Sequence, residues 1–412
     1  MEPASRRDAQ VARAALACAV VVALTATARA QVSRESVAPV HEIYASCAGD
    51  GMPPPPATEH ARLKLPWSVQ VSALAQAWGA AYAGGDARQT DLDAVDGAGL
   101  YLGAARLGAC GLLLTSKGPI SWNVVYEPYS LDESAHADAR AWGRIAAAEI
   151  GFAPWRWLTL SLGIRKVAWG YGHDEPLQLR TLPVVAYVDQ SVAPDRRAGI
   201  TLDDDFGAAH VVIGVYEGAR DLTVTADGGM LIAARLVAEP IGPVGNTVST
   251  RGDPALWRSR PRFAVNASIL YTYTGGNSNY ALAADAAAHW GPVGLVGEYV
   301  FASGTAVEAP TRLFPPPGPG AIRQGLWGEV AVMLWRPWIE ASARYDWLDN
   351  PLQAGQRFHA MTLGVTGYVG KMLMLQAMYT RNFHYGPTAE GVPGISDDVF
   401  LIVGQLALER TF

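Results

Sequence analysis

Phe400-Leu401-Ile402-Val403-Gly404-Gln405-Leu406-Ala407-Leu408-Glu409-Arg410-Thr411-Phe412 ends the chain, and its two parities differ in chemistry. One parity reads Phe400, Ile402, Gly404, Leu406, Leu408, Arg410, Phe412; the other reads Leu401, Val403, Gln405, Ala407, Glu409, Thr411. A β-strand sends successive side chains to opposite faces, so the first set can meet lipid while the second, increasingly polar, meets water. Arg410 stands on the apolar parity, where its long stem lets the charge snorkel to an interface. The terminal Phe412 resembles the C-terminal signal by which a barrel assembly machinery reads the last strand of an outer-membrane barrel.

The same arithmetic recurs upstream. Ile339, Ala341, Ala343, Tyr345 and Trp347 oppose Glu340, Ser342, Arg344 and Asp346, four polar groups that an apolar core would desolvate at heavy cost. Phe263, Val265, Ala267, Ile269 and Tyr271 oppose Ala264, Asn266, Ser268 and Leu270; Leu158, Leu160, Leu162 and Ile164 oppose Thr159, Ser161 and Gly163, with Arg165 next on the polar parity. Between Leu65 and Ala77 the even positions carry Ser68, Gln70, Ser72 and Gln76. One alternation also suits a half-buried soluble sheet; its recurrence predicts an all-β, transmembrane antiparallel barrel with a polar lumen.

About sixteen strands are expected, an even number as such barrels require: 65–82, 98–114, 120–127, 141–152, 157–168, 197–205, 209–217, 228–238, 262–274, 278–290, 293–303, 325–335, 337–347, 358–370, 372–383 and 398–412. Connections alternate between short ones, expected at the periplasmic end, and longer ones, expected outside. The middle breaks this rule, with 239–261 long and 275–277 short.

At the other terminus, Arg6, Arg7 and Arg13, an apolar run from Ala14 to Leu24, and Ala28-Arg29-Ala30 lay out a cleavable secretory signal over 1–30. Residues 31–62, with Pro53 to Pro56, predict a flexible periplasmic segment, leaving 63–412 for the barrel. The 13 Trp and 16 Tyr suit aromatic girdles at two membrane interfaces. Removing the signal's four arginines and two acids from 32 basic and 38 acidic residues leaves 28 and 36, a net of −8, which argues against nucleic acid as a partner. Cys47 and Cys110 fit no zinc pattern and are expected to be incidental; no metal or cofactor is implied.

Several stretches resemble the phosphate-selective porin family, the O and P porins, within the Gram-negative general porins. These are Ala104-Ala105-Arg106-Leu107-Gly108 with Gly111 and 119–126, then 137–152, then 158–167 with Gly163, Arg165 and Lys166. Asp195-Arg196-Arg197-Ala198-Gly199, Ala343 to Asp349, and Asp397 to Phe412 complete the set, which spans most of 98–412. The resemblance implies a homotrimer of sixteen-stranded barrels in the outer membrane. A third extracellular loop, here 169–196, would fold inward and narrow a passive, water-filled channel for small hydrophilic solutes, with anions such as phosphate among the candidates. That loop carries Asp174, Glu175, Arg180, Asp189, Asp195 and Arg196, a mixed set, so a modest anion preference is expected rather than tight phosphate binding.

A pore needs width, polarity and a local field, not a catalytic constellation. Arg165, Arg197 and Arg344 are the first candidates for lumen cations, with Arg180, Asp189 and Arg196 in the loop; Arg106, Arg144 and Arg235 have ambiguous parity. Glu298, Glu329, Glu340 and Asp346 would oppose them in the same lumen. Each cation has an equally weighted structural reading, as the partner of nearby acids in a network that stiffens the wall. Two other classes stay open: a phospholipase-like barrel enzyme, needing a nucleophile beside His289, His359 or His384, and a structural or adhesive barrel without an open pore. No motif singles out a histidine, and a lone histidine near a strand end is more often solvated, so an enzyme is not expected.

Overall fold

The computed structural model describes residues 67–411, except 84–97, 131–143, 218–228, 251–260, 275–276, 304–321, 350–356, 386–397 and positions 156, 176–179, 184, 195, 243, 245–246 and 371. The expected signal over 1–30, the expected flexible segment 31–62 and Phe412 lie outside the described residues.

The strands run β1 (Trp67–Ala83), β2 (Ala98–Thr115), β3 (Gly118–Ser130), β4 (Arg144–Trp155), β5 (Leu158–Arg165), β6 (Arg197–Asp205), β7 (Ala209–Glu217) and β8 (Met230–Ala238). They continue as β9 (Arg262–Thr274), β10 (Asn277–Trp290), β11 (Val293–Ser303), β12 (Ile322–Trp335), β13 (Ile339–Asp349), β14 (Arg357–Val369), β15 (Leu373–Tyr385) and β16 (Asp398–Thr411). Each pairs antiparallel with its neighbour in sequence, and β1 pairs with β16 from Gln70↔Thr411 to Ala83↔Asp398, closing the barrel. Closure leaves no strand edge, which is what a spanning sheet needs where no water can satisfy free N–H and C=O groups.

Facing follows the parities of the sequence. On β16, Phe400, Ile402, Leu406 and Leu408 are exposed on the outside, while Leu401, Val403 and Gln405 are buried within. On β13, Tyr345 points out, and Glu340, Ser342, Arg344 and Asp346 point in. Exposed Trp67, Trp155, Trp157, Trp290, Trp335 and Trp338 ring the end with the short turns, and Trp155 stacks on Trp157 with centroids 5.4 Å apart. Tyr126, Tyr273, Tyr299, Tyr345 and Tyr379 lie outward toward the other end. Aliphatic side chains fill the band between, the distribution a bilayer imposes.

Leu363 and Thr362 make that facing testable, because they are adjacent on β14 but 54% and 0% exposed. Leu363→Arg is expected to lower folding stability in lipid vesicles by roughly 2–4 kcal/mol, the cost of a charge at mid-bilayer. Thr362→Ser, on the other face, should cost far less. Equal losses would contradict the assignment of faces.

One expectation about elements changes. The fifth strand ends at Arg165 rather than 168, because Val167, Ala168 and Trp169 turn into the barrel and are buried there. The long connection at 239–261 is real, and β8 and β9 flank it at the predicted positions. Gly163 permits an irregularity near the end of β5: its φ is +141°, and a Cβ there would sit 2.0 Å from the Ala148 carbonyl oxygen.

Candidate functional site

Residues 166–196, between β5 and β6, carry two short helices, α1 (Tyr171–Asp174) and α2 (Tyr187–Val192), and pack against inward-facing side chains of β11 to β15. Carboxylates of the wall hold its backbone. Glu298 on β11 accepts from the Tyr171 and Gly172 amides at 2.8 and 3.2 Å, and Asp346 on β13 accepts from the Tyr187 amide at 2.9 Å. Thr366 donates to the Thr181 carbonyl at 3.0 Å, and Gln376 donates to the Arg180 carbonyl at 2.8 Å. Thr181 donates its hydroxyl to Glu329.

Apolar contacts complete the seat. Leu182 joins Trp78, Met378, Leu401 and Val403, and Tyr187 meets Phe358 edge-on with centroids 4.8 Å apart. Glycines make room where the approach is closest. A Cβ on Gly364 would lie 2.4 Å from Leu182 Cδ2, and one on Gly325 would lie 2.8 Å from Val188 Cγ1.

The wall formed by β2 to β7 carries a different set. Arg106 Nε lies 2.7 Å from Glu127. Arg165 Nη1 donates to Thr201 at 2.7 Å and to Asp203 at 3.1 Å, with Glu149 3.7 Å from its Nε. Arg197 donates to the Glu217 carbonyl at 3.3 Å. Arg165, Arg196 and Arg197 all keep partial exposure.

The expected candidates therefore divide. Arg165 and Arg197 flank the start and end of the inturned segment and pair with each other's backbone position in the β5–β6 ladder. Arg344 faces inward but is buried beneath the segment, with Asp346 at 3.0 Å, Glu329 at 3.8 Å and the Val185 carbonyl at 3.4 Å. Glu340 accepts from Ser249 at 2.8 Å and from Tyr368 at 2.6 Å. Arg180 and Asp189 are buried in the segment. Arg106 and Arg235, of ambiguous parity in the sequence, both point inward and are buried; the Arg144 side chain lies outside the described set.

Burial, with the Glu329 carboxylate nearby, pushes Glu175 up to about 8, and burial also pushes Asp189 up to about 7, with Asp346 and Asp285 adding to it. Two of the segment's acids are thus drawn toward neutrality. Of the three candidate histidines, the His384 side chain lies outside the described residues. His289, expected to be solvated, is buried with Nε2 3.0 Å from the Thr247 carbonyl, and His359 Nδ1 lies 2.5 Å from the Tyr345 hydroxyl. Among the described residues, no cluster of His, Cys, Asp and Glu could hold a metal. The expectation that the cysteines are incidental fails, because Cys110, on the inward face of β2, is disulfide-bonded.

Glu298, Glu329, Thr366 and Gln376 are the wall residues that sequence reading did not assign to anchoring. Their signal was weak but present: polar residues on the inward parity, with Gly325 and Gly364 marking dents among them.

A closed barrel of sixteen antiparallel strands, apolar outside and polar within, is the fold of the outer-membrane porins. Among solved structures, the outer-membrane channel DcaP of Acinetobacter baumannii superposes with a TM-score of 0.55 at 10% identity, over 84% of this chain and 99% of that one. OmpF of Salmonella typhi gives 0.57 at 12% identity, over 82% and 97%. An anion-selective porin from Comamonas acidovorans gives 0.50 at 12% identity, over 84% and 98%. No family profile and no curated protein matches the chain.

Proposed function

We propose that this chain is an outer-membrane porin: exported by its N-terminal signal, inserted by the barrel assembly machinery, and open to small hydrophilic solutes. The observation that carries this is the reversal of chemistry across one closed wall. Lipid is the partner that suits the outer face, and water the one that suits Gln76, Asn123, Ser161, Thr201 and Gln405 on the inner face. Residues 166–196 then serve as the constriction loop. Assembly as a homotrimer suits β1, whose outward positions Ala73, Ala75, Ala77, Gly79 and Ala81 are all small and would let a second wall approach.

Selectivity in this reading is a modest preference for anions without tight phosphate binding. Arg165, Arg196 and Arg197 keep partial exposure, whereas Glu175 is turned onto the Val248 amide and Asp189 is fully enclosed. Low-dielectric walls strengthen the field of each remaining charge. Glu149 and Asp203 beside Arg165 keep the preference small.

The reversal potential across a salt gradient tests it. Wild type should be weakly anion-selective, and Arg165→Ala and Arg197→Ala should each shift the potential toward cations. A cation-selective wild type, or no shift in either variant, would contradict this placement of the filter. Block of chloride current by low phosphate would show a dedicated phosphate site.

A further inference from the structure

The β8–β9 connection is long at the end of the barrel where the other turns are short, and its described residues do not stay at the rim. Ile241 is exposed, after which Val244, Val248, Ser249 and Thr250 are buried. Its described residues reach from β8 along the inner wall past β10 and β11 to β13. Thr247 places its carbonyl 3.0 Å from His289 on β10, and Ser249 donates to Glu340 on β13 at 2.8 Å. The Val248 carbonyl lies against β11 so closely that a Cβ on Gly294 would stand 1.8 Å from it. Val244 and Val248 join Trp169, Tyr171, Leu231 and Ala264 in one apolar cluster.

The connection also meets the constriction segment, which enters from the opposite end. The Val248 amide donates to Glu175 Oε1 at 3.3 Å. Two inturned segments, rooted at opposite rims, therefore touch inside the same half of the barrel, the half walled by β8 to β15.

We propose that the described residues of this connection, 239–242, 244 and 247–250, belong to a second constriction element, which closes the β8–β13 side of the lumen from the short-turn end and confines solutes to the path along β2 to β7. Solute size is then limited by both segments together, and the charges met along the path are those of Glu149, Arg165 and Asp203, which keep partial exposure. This rests on the channel reading above. It goes beyond that reading by assigning a specificity-determining role to a connection that lies outside the constriction loop.

The test compares the full chain, a chain in which 240–260 are replaced by a short Gly/Ser turn, and Gly294→Ala, which pushes a methyl into the Val248 carbonyl. Single-channel conductance in planar bilayers is expected to rise several-fold in the shortened chain and less in Gly294→Ala, with larger neutral solutes admitted. A second readout needs no current. His289→Cys should resist a water-soluble maleimide in the full chain and react in the shortened one, against the parent chain as background.

A shortened chain that conducts while the full chain is silent would overturn the proposal, because the segment would then plug the lumen and leave no path along β2 to β7. Equal conductance in full and shortened chains, or equal labelling of His289→Cys in both, would overturn it while leaving the channel reading intact. Silence of all chains would overturn the channel reading and this role with it.

Discussion

Arg344→Ala is expected to lower the stability of the folded barrel by about 3–5 kcal/mol, read from denaturant unfolding in lipid vesicles, because it strips a buried cation from two buried carboxylates. Asp346 lies 3.0 Å from the guanidinium and Glu329 3.8 Å, and all three side chains are almost wholly enclosed. Arg344 also donates to the Val185 carbonyl, so the substitution removes a tie to the inturned segment at the same point. Loss of the pair should be largely repaired in a chain that also carries Glu329→Gln and Asp346→Asn, since neutral amides cost less to bury than unpaired carboxylates. A loss below about 1 kcal/mol would place the cluster in bulk-like water, as for a surface ion pair.

Replacing 172–192 with a short linker is expected to raise single-channel conductance several-fold and to erase most of the anion preference. The segment packs against inward-facing side chains of β11 to β15, yet no strand of the ladder depends on it for pairing, so the barrel should still close. Removing it uncovers Glu298, Glu329 and Asp346 together with Arg344, three acids against one cation. The field in the widened pore should then move toward cation preference. Unchanged conductance would mean that the segment does not bound the conducting path.

How much of this was legible beforehand depends on the range of the interaction. The facing of β1, β9, β13 and β16 follows from side chains two positions apart, and the contrast between lipid and water writes itself into that spacing. Most strand ends came within a few residues for the same reason. The fifth strand failed where an apolar run, Val167-Ala168-Trp169, continues past the sheet; it leaves the wall to bury inside the lumen, which short-range alternation cannot distinguish from a strand.

The packing of the lumen was not legible. Glu298 meets Tyr171 across 127 positions and Gln376 meets Arg180 across 196, distances at which no local pattern assigns partners. Arg344 shows the consequence. Its parity correctly points inward, but whether it lines open water or lies beneath a folded segment depends on where 166–196 comes to rest. The break in connection lengths at 239–261 had the opposite history. The departure from alternating lengths was visible in the sequence, and it marks a segment that turns into the barrel.

The central claim is that the polar inner face lines an open aqueous path. The most direct measurement is the current carried by purified, folded full-length protein in planar bilayers bathed in symmetric potassium chloride. The account predicts stepwise insertions of constant size, with current proportional to voltage at low bias. Folded protein, verified by heat-modifiable migration, that inserts yet passes no current would contradict it.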